Sequence, residues 1–364
     1  NAKERRVINL KKYLVSGISP GNGGVGRLMR VLAPAYKKKG FKVICKRNNL
    51  SIRNILSKNN YLQVAVELIK RILSKIWFDV RCSFIRKAVV VFIHPQTAGY
   101  KNLFKLIGRN ELSMYVMDCS FFCIMSYNTH PIEKNECLQC LGGLLPPDSL
   151  CQSFPIEINK NINIKYLNIL QKRSKDILFL AQNYNQKKLL IEHFGSETNV
   201  DIVGMNTEEL LKEKIHCNNT FNVVFHGTPI ISKGLGYVIE LANLLPNLSF
   251  LIPSDYGLTM KVLQAELLPK NVTCIDMSWE SGLKEQVVCA DLVLVPSLWS
   301  APIEGALIKS AFYNDNVATV ESKYGYESEF NGIKNHLKIS NDVNNAAQCI
   351  GVFFKNFKRQ EGKK

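Results

Sequence analysis

Three glycines in the stretch 16–32, SGISPGNGGVGRLMRVL, have the G-x-G-x-x-G spacing of a dinucleotide-binding loop that begins at Gly21. Such a loop starts directly at a strand end, and an acidic residue about 20 residues later binds the ribose. Here Gly21 follows the first apolar run by several residues, and the next run ends in Lys46. We therefore expect no NAD(P) site. Gly23 and Gly24 still allow the backbone to approach a phosphorylated ligand at a helix N-terminus, with a ligand-free turn as the alternative.

Thiols are concentrated in the segment 118–151, which contains five of the eleven cysteines. The C-x-x-C pair in this segment has zinc-knuckle spacing and predicts a structural zinc site. The predicted ligands are Cys123, Cys137, Cys140 and Cys151, with His130 as an alternative ligand. Four sulfur ligands leave no open position, so a catalytic metal is not expected. Buried free thiols, or a thiol pair poised for oxidation, are the other interpretations.

Positive charge is concentrated in the first part of the chain. Residues 1–110 contain 24 lysines and arginines against three acidic residues, a net charge of +21, whereas the whole chain carries +17. This part of the protein should therefore be attracted to a polyanion: nucleic acid, anionic lipid or a phosphorylated substrate. The basic residues are not interleaved with aromatic ones as in a stacking platform, so we expect no nucleic-acid partner.

Eleven apolar runs alternate with helical stretches and predict buried parallel strands of βαβ units. The runs are 13–17, 41–46, 88–94, 113–118, 177–182, 200–204, 221–227, 248–254, 272–277, 291–297 and 317–322. No run is long enough to span a membrane, and the start of the sequence lacks the apolar region of a signal peptide. With its scattered cysteines, the chain is expected in the reducing cytosol, without a disulfide framework.

An amphipathic helix is predicted over 61–77, because apolar residues recur there at helical spacing. One interpretation is a surface helix whose apolar face packs on the sheet. The other is a helix that rests on an anionic membrane surface, supported by nearby basic residues such as Arg81 and Arg86. The local sequence leaves both open.

Two segments of the second half, 223–252 and 290–320, together with SPGNGGVGR near the start, resemble retaining glycosyltransferases of family 4. The resemblance extends to 179–190 and 202–210, so it covers nearly the whole chain in the expected order. It implies an α/β protein of the GT-B fold, in which two Rossmann-like domains face each other across a cleft.

The resemblance and a polar break near 205–220 predict the domain organisation. Residues 1–205 would form the N-terminal acceptor-binding domain, with a Cys-rich insertion at 118–155. Residues 206–345 would form the C-terminal donor-binding domain, and 346–364 a terminal helix with a basic tail.

The resemblance also implies a donor site. Lys233 would neutralise the diphosphate of a nucleotide-sugar as it leaves, so no metal or other cofactor is required for catalysis. The family usually has an arginine where Thr228 stands, and its two glutamates fall on Ala301 and Lys309. Glu304 lies between these two positions and could take over one glutamate's role, and Lys309 could pair with Glu304 or with a phosphate. The implied donor-binding residues are Gly23, Gly24, Arg27, Thr228, Lys233, Trp299, Ser300, Ala301, Pro302 and Lys309. Trp299 would stack on a sugar or base, or else fill the core.

Two polar residues near strand ends of the first domain are the candidates on the acceptor side. His94 ends an apolar run at a point where the family often has a polar residue. Asp118 ends the next run, after Met117 at the position of a family histidine. The implied catalytic residues are therefore His94, Asp118 and Glu304, acting by orientation and charge rather than through a covalent intermediate.

The function implied by this resemblance is a hexosyltransferase-like, retaining glycosyltransferase of bacterial surface-polysaccharide type (O-antigen, capsule or lipopolysaccharide). It would move a sugar from a nucleotide-sugar donor to a glycan or polyprenyl-linked acceptor. We expect a cytoplasmic protein held peripherally on the inner face of the bacterial cytoplasmic membrane by its basic N-terminal domain. A sugar-nucleotide epimerase of the same fold and a non-enzymatic nucleic-acid-binding protein are the alternatives.

Overall fold

Two six-stranded parallel sheets carry the part of the chain that the structure describes. The computed structural model describes residues 10–21, 24–47, 49, 52–56, 60–143, 148–205, 209–211, 215–217 and 221–361. These residues divide into two compact units. The first contains the described residues up to Ser126 and those from Cys140 to 205, and the second contains 127–139 and those from 209 onwards.

The first sheet has the strand order β2-β1-β3-β4-β5-β6. Its strands are β1 (Lys11–Ser16), β2 (Lys42–Cys45), β3 (Ala88–Ile93), β4 (Glu111–Tyr115), β5 (Leu178–Ala181) and β6 (Val200–Ile202). The helices of this unit are α1 (Gly24–Lys38), α2 (Ile52–Leu56), α3 (Tyr61–Phe84), α4 (Pro95–Ala98), α5 (Tyr100–Leu106), α6 (Lys160–Lys172) and α7 (Tyr184–Phe194). Apolar side chains of β1 and β3 pack against α1 in the core.

The second sheet has the strand order β12-β11-β10-β7-β8-β9. Its strands are β7 (Val223–Phe225), β8 (Phe250–Ile252), β9 (Val272–Cys274), β10 (Leu292–Val295), β11 (Asn316–Val320) and β12 (Asn335–Ile339). The helices are α8 (Leu235–Leu244), α9 (Tyr256–Leu263), α10 (Leu283–Cys289), α11 (Gly305–Tyr313) and α12 (Val343–Glu361). Helices α8 and α12 cover one face of this sheet, and α10 and α11 cover the other.

Each sheet has a topological switch point, where the chain reverses the direction in which it adds strands. It lies between β1 and β3 in the first sheet and between β7 and β10 in the second. Helices leave such a point toward opposite faces, which opens a crevice at the carboxyl ends of the two strands. Side chains that directly follow these strands are therefore placed to bind a ligand.

All eleven predicted strands are present, most of them shorter than predicted, and the predicted α/β class with two parallel sheets is confirmed. The sequence analysis missed β12, whose residues NHLKI form a largely half-exposed edge strand without a continuous apolar run. The last helix begins at Val343 and packs on α8 within the second unit.

Segment 127–139 differs most from the predicted organisation. It lies in the middle of the predicted Cys-rich insertion of the first domain, yet it belongs to the second compact unit. Hydrogen bonds explain this placement: Thr129 Oγ1 donates to the Leu298 carbonyl, and Asn128 Nδ2 donates to Ser300 Oγ.

One disulfide joins Cys217 to Cys289, contrary to the expectation of a chain without disulfides. The two cysteines are separated by 72 residues, so sequence spacing could not reveal the pair. Among the described helices, none has both the length and the apolarity needed to cross a bilayer.

Candidate functional site

Close backbone packing at Gly234 builds the switch point of the second sheet. Gly234 has φ +83°, and a Cβ atom there would lie 2.2 Å from the carbonyl oxygen of Pro296, directly after β10. The amide of Leu298 also donates to the Ser232 carbonyl at 2.9 Å. Only glycine fits this left-handed, crowded position. The turn that follows β7 is thereby held against the end of β10.

Lys233, Ser297 and Glu304 form one hydrogen-bonded cluster at this point. Lys233 Nζ lies 2.6 Å from Glu304 Oε1 and 3.3 Å from Ser297 Oγ. The Ser297 hydroxyl donates to the Glu304 carboxylate at 2.7 Å. Glu304 is buried, and the Lys233 side chain is 15% exposed. Lys233 and Glu304 were both predicted site residues, with Lys309 as one possible partner of Glu304; the structure pairs Glu304 with Lys233.

Lys233 also contacts the ring of Trp299, with Nζ 5.0 Å from the ring centroid. Trp299 is buried, and Tyr127 packs edge-on against it at a centroid distance of 4.5 Å. Its indole N–H has no hydrogen-bond partner among the residues that the structure describes. This environment favours the core interpretation of Trp299, with the ring supporting the ammonium of Lys233.

The loop after β10 is held by the segment 127–139. The side-chain amide of Asn128 accepts from the Ser300 amide at 2.9 Å and donates to Ser300 Oγ at 2.8 Å. Glu136 accepts from Ser300 Oγ at 2.5 Å and from the amides of Lys323 and Tyr324 at 2.6 and 3.1 Å. Sequence reasoning missed both residues, because 170 or so positions separate them from the loop that they hold.

The predicted donor-binding amides are largely occupied by protein acceptors. The Ser300 amide donates to Asn128, and the Ala301 amide donates to the Trp299 carbonyl at 2.6 Å. Ala301 and Pro302 are buried, whereas Thr228 is exposed after β7. The structure thus places Lys233 and Thr228, rather than this loop's backbone, where a ligand has access.

An aromatic stack lies on the other side of β7. His226 directly follows β7 and stacks on Trp279, with ring centroids 5.2 Å apart and an interplanar angle of 9°. Lys309 Nζ lies 4.6 Å from the Trp279 ring centroid. Burial, and secondarily the charge of Lys309, lower the pKa of His226 to about 3, so its imidazole is neutral. His226 and Trp279 are additional site candidates; the only sequence signal was a histidine at a strand end.

A second carboxyl group, Glu327, is buried in the loop between β11 and β12. Its Oε1 accepts from Ser322 Oγ at 2.5 Å and from the Ser322 amide at 3.0 Å. Burial raises the pKa of Glu327 to about 7, and the negative charge of Glu304 adds to this increase. The two carboxyl groups are thus electrostatically coupled, although the sequence analysis identified only Glu304.

His94 and Asp118 come together at the carboxyl ends of β3 and β4 in the first unit. His94 Nε2 lies 3.8 Å from Asp118 Oδ2, and Nδ1 lies 2.7 Å from Thr97 Oγ1. Both side chains are buried. Burial lowers the pKa of His94 below its usual range, while the Asp118 carboxylate opposes that shift, so the imidazole is neutral. His94 has φ 57°, an uncommon backbone conformation for a residue other than glycine.

Asp118 is oriented by further hydrogen bonds, although it lies three residues beyond the observed end of β4. Gln96 Nε2 donates to its two oxygens at 3.1 and 3.2 Å, and the Ser120 amide donates at 3.0 Å. A carboxylate held by several donors next to a neutral imidazole can orient that ring and accept a developing positive charge on it.

The glycine-rich loop after β1 ends at the N-terminus of α1, which begins at Gly24. A Cβ atom at Gly24 would meet no atom of the described residues within 4 Å, and Arg27 is exposed. Gly26 instead packs against Gly21, so a larger side chain at Gly26 would crowd the turn. Gly23, another predicted donor-binding residue, lies outside the described residues. Among the described residues, Gly24 therefore has open space beside it at the position where a ligand is predicted.

The described cysteines do not assemble into a metal site. No group of three His, Cys, Asp or Glu side chains within the described ranges could hold a metal ion. Of the predicted ligands, Cys137 belongs to the second unit and Cys123, Cys140 and Cys151 to the first. His130 Nδ1 instead accepts from the amides of Ile132 and Glu133. The residues present do not fit a zinc ion, and structural zinc stays a prediction without geometric support.

Several solved structures share this architecture, although no protein-family model and no curated protein matches the sequence. HepE from Anabaena, solved in complex with UDP, matches with a TM-score of 0.55 and 14% identity over 95% of this chain and 90% of that chain. Sucrose-phosphate synthase from Thermosynechococcus elongatus matches with a TM-score of 0.59 and 11% identity over 95% and 90%. The UDP-forming trehalose-phosphate synthase of Burkholderia vietnamiensis gives 0.53 and 10% over 94% and 90%. The chain thus has the predicted GT-B fold.

Proposed function

We propose that the protein is a retaining glycosyltransferase that transfers a hexose from a nucleoside-diphosphate sugar. The observation that carries this proposal is the Lys233–Ser297–Glu304 cluster at the switch point of the second sheet. HepE, which shares the fold, has been solved with UDP and with UDP-glucose, which supports a uridine nucleotide as the donor to test first. The arrangement of the motifs along the chain favours the family 4 type.

Lys233 is suited to bind the departing diphosphate. An ammonium group has three N–H donors, and two are directed at Glu304 and Ser297. A third can reach a phosphate oxygen on the accessible side of the group. Negative charge accumulates on the diphosphate as the glycosidic bond breaks, so a fixed cation stabilises the transition state more than the ground state. Glu304 and Ser297 hold that cation in place.

His94 and Asp118 are suited to orient the acceptor hydroxyl. The neutral imidazole of His94 can accept a hydrogen bond, and Asp118 lies close enough to stabilise it if it gains the proton. Retention requires the acceptor to approach the face from which the diphosphate departs. No covalent intermediate is needed, and we assign these two residues to orientation and proton transfer.

The acceptor that we propose is a glycan or polyprenyl-linked glycan of a bacterial surface polysaccharide. The support is electrostatic: residues 1–110 carry a net charge of +21, which suits a carrier with a diphosphate and an anionic membrane. We therefore place the protein peripherally on the cytoplasmic face of that membrane.

A nucleotide-sugar panel with the variant Lys233→Ala tests this function. UDP-, GDP-, CMP- and dTDP-sugars are compared by thermal shift and by nucleotide release, and the anomeric configuration of the product is determined by NMR. We expect one nucleotide to stabilise the protein, and Lys233→Ala to lower nucleotide release about 100-fold or more. Lys334→Ala is the matched control, because it removes an exposed lysine paired with Asp315 in the same unit.

Two results would contradict the proposal. If no sugar nucleotide binds while NADP or nucleic acid does, the protein is not a glycosyltransferase. Conversion of the donor to its epimer without an acceptor would indicate the epimerase alternative. Full activity of Lys233→Ala would exclude the lysine from the site.

A further inference from the structure

Helix α3 (Tyr61–Phe84) presents its apolar face to solvent rather than to the core. At 100° per residue, one stripe runs along Leu62, Val66, Ile69, Leu73, Ile76 and Val80. All six side chains are exposed, including Leu62 at 78%, Ile69 at 57% and Leu73 at 60%. An ordinary surface helix buries its apolar stripe. The docked-helix interpretation of the sequence is therefore wrong.

The opposite face of α3 attaches the helix to the first unit. Phe78, Cys82 and, about three turns earlier, Glu67 are buried on that face. Glu67 Oε2 lies 3.2 Å from Arg47 Nη1, and its Oε1 lies 3.5 Å from Arg71 Nε. The packed face is thus narrow and contains an ionic contact.

One border of the apolar stripe is basic and contains Lys70 and Arg81. Beyond Ile72 on the other side lies the half-buried Asp79, whose carboxylate accepts from the side chain of Asn102. Lys75 lies further round toward the packed face. The guanidinium of Arg81 lies 4.5 Å from the ring centroid of Trp77, which is itself about half exposed. An apolar centre with a basic border matches the boundary between acyl chains and anionic headgroups.

The width of the stripe distinguishes a bilayer from a second copy of the chain. The 4-3-4-3 spacing from Leu62 to Val80 would also suit a helix pair, but Ile72 and Trp77 extend the exposed apolar surface on both sides of it. Two antiparallel copies would also bring their basic borders together, which is unfavourable. Nucleic acid would need a basic centre rather than an apolar one.

We propose that α3 lies in the plane of an anionic lipid bilayer, with its apolar stripe inserted among the acyl chains and Lys70 and Arg81 at the headgroups. At 1.5 Å per residue the helix is about 36 Å long, so it offers an extended contact. Helix α3 would thus be the surface through which the protein contacts the membrane of the proposed function. It depends on the geometry of α3 and not on glycosyl transfer.

Vesicle sedimentation of the full chain tests this surface. Vesicles of phosphatidylcholine alone are compared with vesicles containing about one third phosphatidylglycerol. We expect binding to the anionic vesicles, reduced about tenfold or more in the double variant Ile69→Ser/Leu73→Ser. Leu267→Ser is the matched control, because it removes a similarly exposed leucine, 80% accessible, from the second unit. Lys70→Gln/Arg81→Gln should weaken binding to anionic vesicles and reduce its salt dependence.

Trp77 provides a local readout. Its fluorescence should shift to shorter wavelength when anionic vesicles are added, and Trp77→Phe should remove the shift while sedimentation continues. Absence of binding to anionic vesicles, or equal binding by the Ile69→Ser/Leu73→Ser variant, would overturn the proposal. So would a dimer in solution that the same variant converts to monomer, since α3 would then pair with a second copy. Melting temperature and nucleotide-induced thermal shift of each variant separate a failed membrane surface from a failed fold or donor site.

Discussion

The two switch points of the molecule have the same topology but opposite electrostatics. After β3, in the first sheet, a neutral imidazole lies 3.8 Å from a carboxylate that is held by amide donors. After β10, in the second, an ammonium lies 2.6 Å from a buried carboxylate. The first arrangement suits proton transfer, and the second suits a fixed positive charge. Parallel sheets provide the two positions, and the side chains after the strands determine their chemistry.

If the protein is the proposed glycosyltransferase, the two units should contribute to different steps of the reaction. A change at His94 or Asp118 should affect turnover and leave nucleotide binding intact. A change at Lys233, or in the backbone that positions it, should affect nucleotide binding as well. Each of the following predictions tests part of this division.

The largest effect is expected for Gly234→Ala. The new Cβ atom would collide with Pro296 in a left-handed conformation, so we expect the second unit to lose about 4 kcal/mol of stability. Thermal unfolding with and without nucleotide measures this loss. Gly351→Ala in α12, where a Cβ atom meets open space, is the control and should not destabilise. A fully stable Gly234→Ala protein would mean that the turn is not held against β10.

Asp118→Asn should lower turnover about 100-fold, because the imidazole loses the carboxylate that stabilises its protonated form. The nucleotide-induced thermal shift should remain unchanged, since Lys233, the proposed diphosphate ligand, lies in the other unit. Asp176→Asn, at an exposed ion pair with Arg173, is the matched control. A loss of nucleotide binding in Asp118→Asn would contradict the division of roles.

Asn128→Ala should lower the free energy of unfolding by about 2 kcal/mol, because Asn128 is buried and its side chain is the partner of the Ser300 amide and hydroxyl. Nucleotide binding should weaken moderately as the loop beside Lys233 loosens. Asn335→Ala, at an exposed side-chain hydrogen bond to Asn316, serves as the control. Denaturant unfolding and nucleotide titration of both variants check the prediction; equal effects would exclude a specific role for segment 127–139.

Glu327→Gln should have the smallest effect, seen in the pH dependence of stability. The pKa of Glu327 is raised from 4.5 to about 7, so the folded state binds a proton that the unfolded state has released between these values. The stability that this proton contributes is complete below pH 4.5 and is lost as the pH rises through 7. The melting temperature of the parent relative to Glu327→Gln should therefore fall as the pH rises across this window. Glu321→Gln, at an exposed position, should show no such trend.

Sequence patterns were most informative where interactions are local. The apolar runs predicted eleven of the twelve described strands, including the edge strands β2, β6 and β9, and missed β12, because its residues NHLKI contain no continuous apolar run. The resemblance predicted Lys233 and Glu304 as site residues, but it did not predict the contact between them. No spacing in the sequence indicates the contacts of Asn128, Glu136, His226 and Trp279, because the partners of these residues lie far along the chain.

Helix α3 also shows which features the local sequence predicts and which the tertiary environment decides. Its periodicity predicted a helix with one apolar face, since periodicity is a property of neighbouring residues. Whether that face meets the core or solvent depends on which side chains the rest of the unit contacts, and the unit contacts Glu67, Phe78 and Cys82.

The sequence by itself determined the α/β class, the strands with continuous apolar runs, the basic character of the first part and most of the residue types at the candidate site. Those features follow from local composition and periodicity, which need no knowledge of distant contacts. Only the tertiary structure decided that Lys233 pairs with Glu304, that His94 meets Asp118, that 127–139 holds the loop after β10, and that the apolar face of α3 is exposed. Each of these features depends on how segments that are distant in the sequence pack against one another, and the local sequence does not specify that packing.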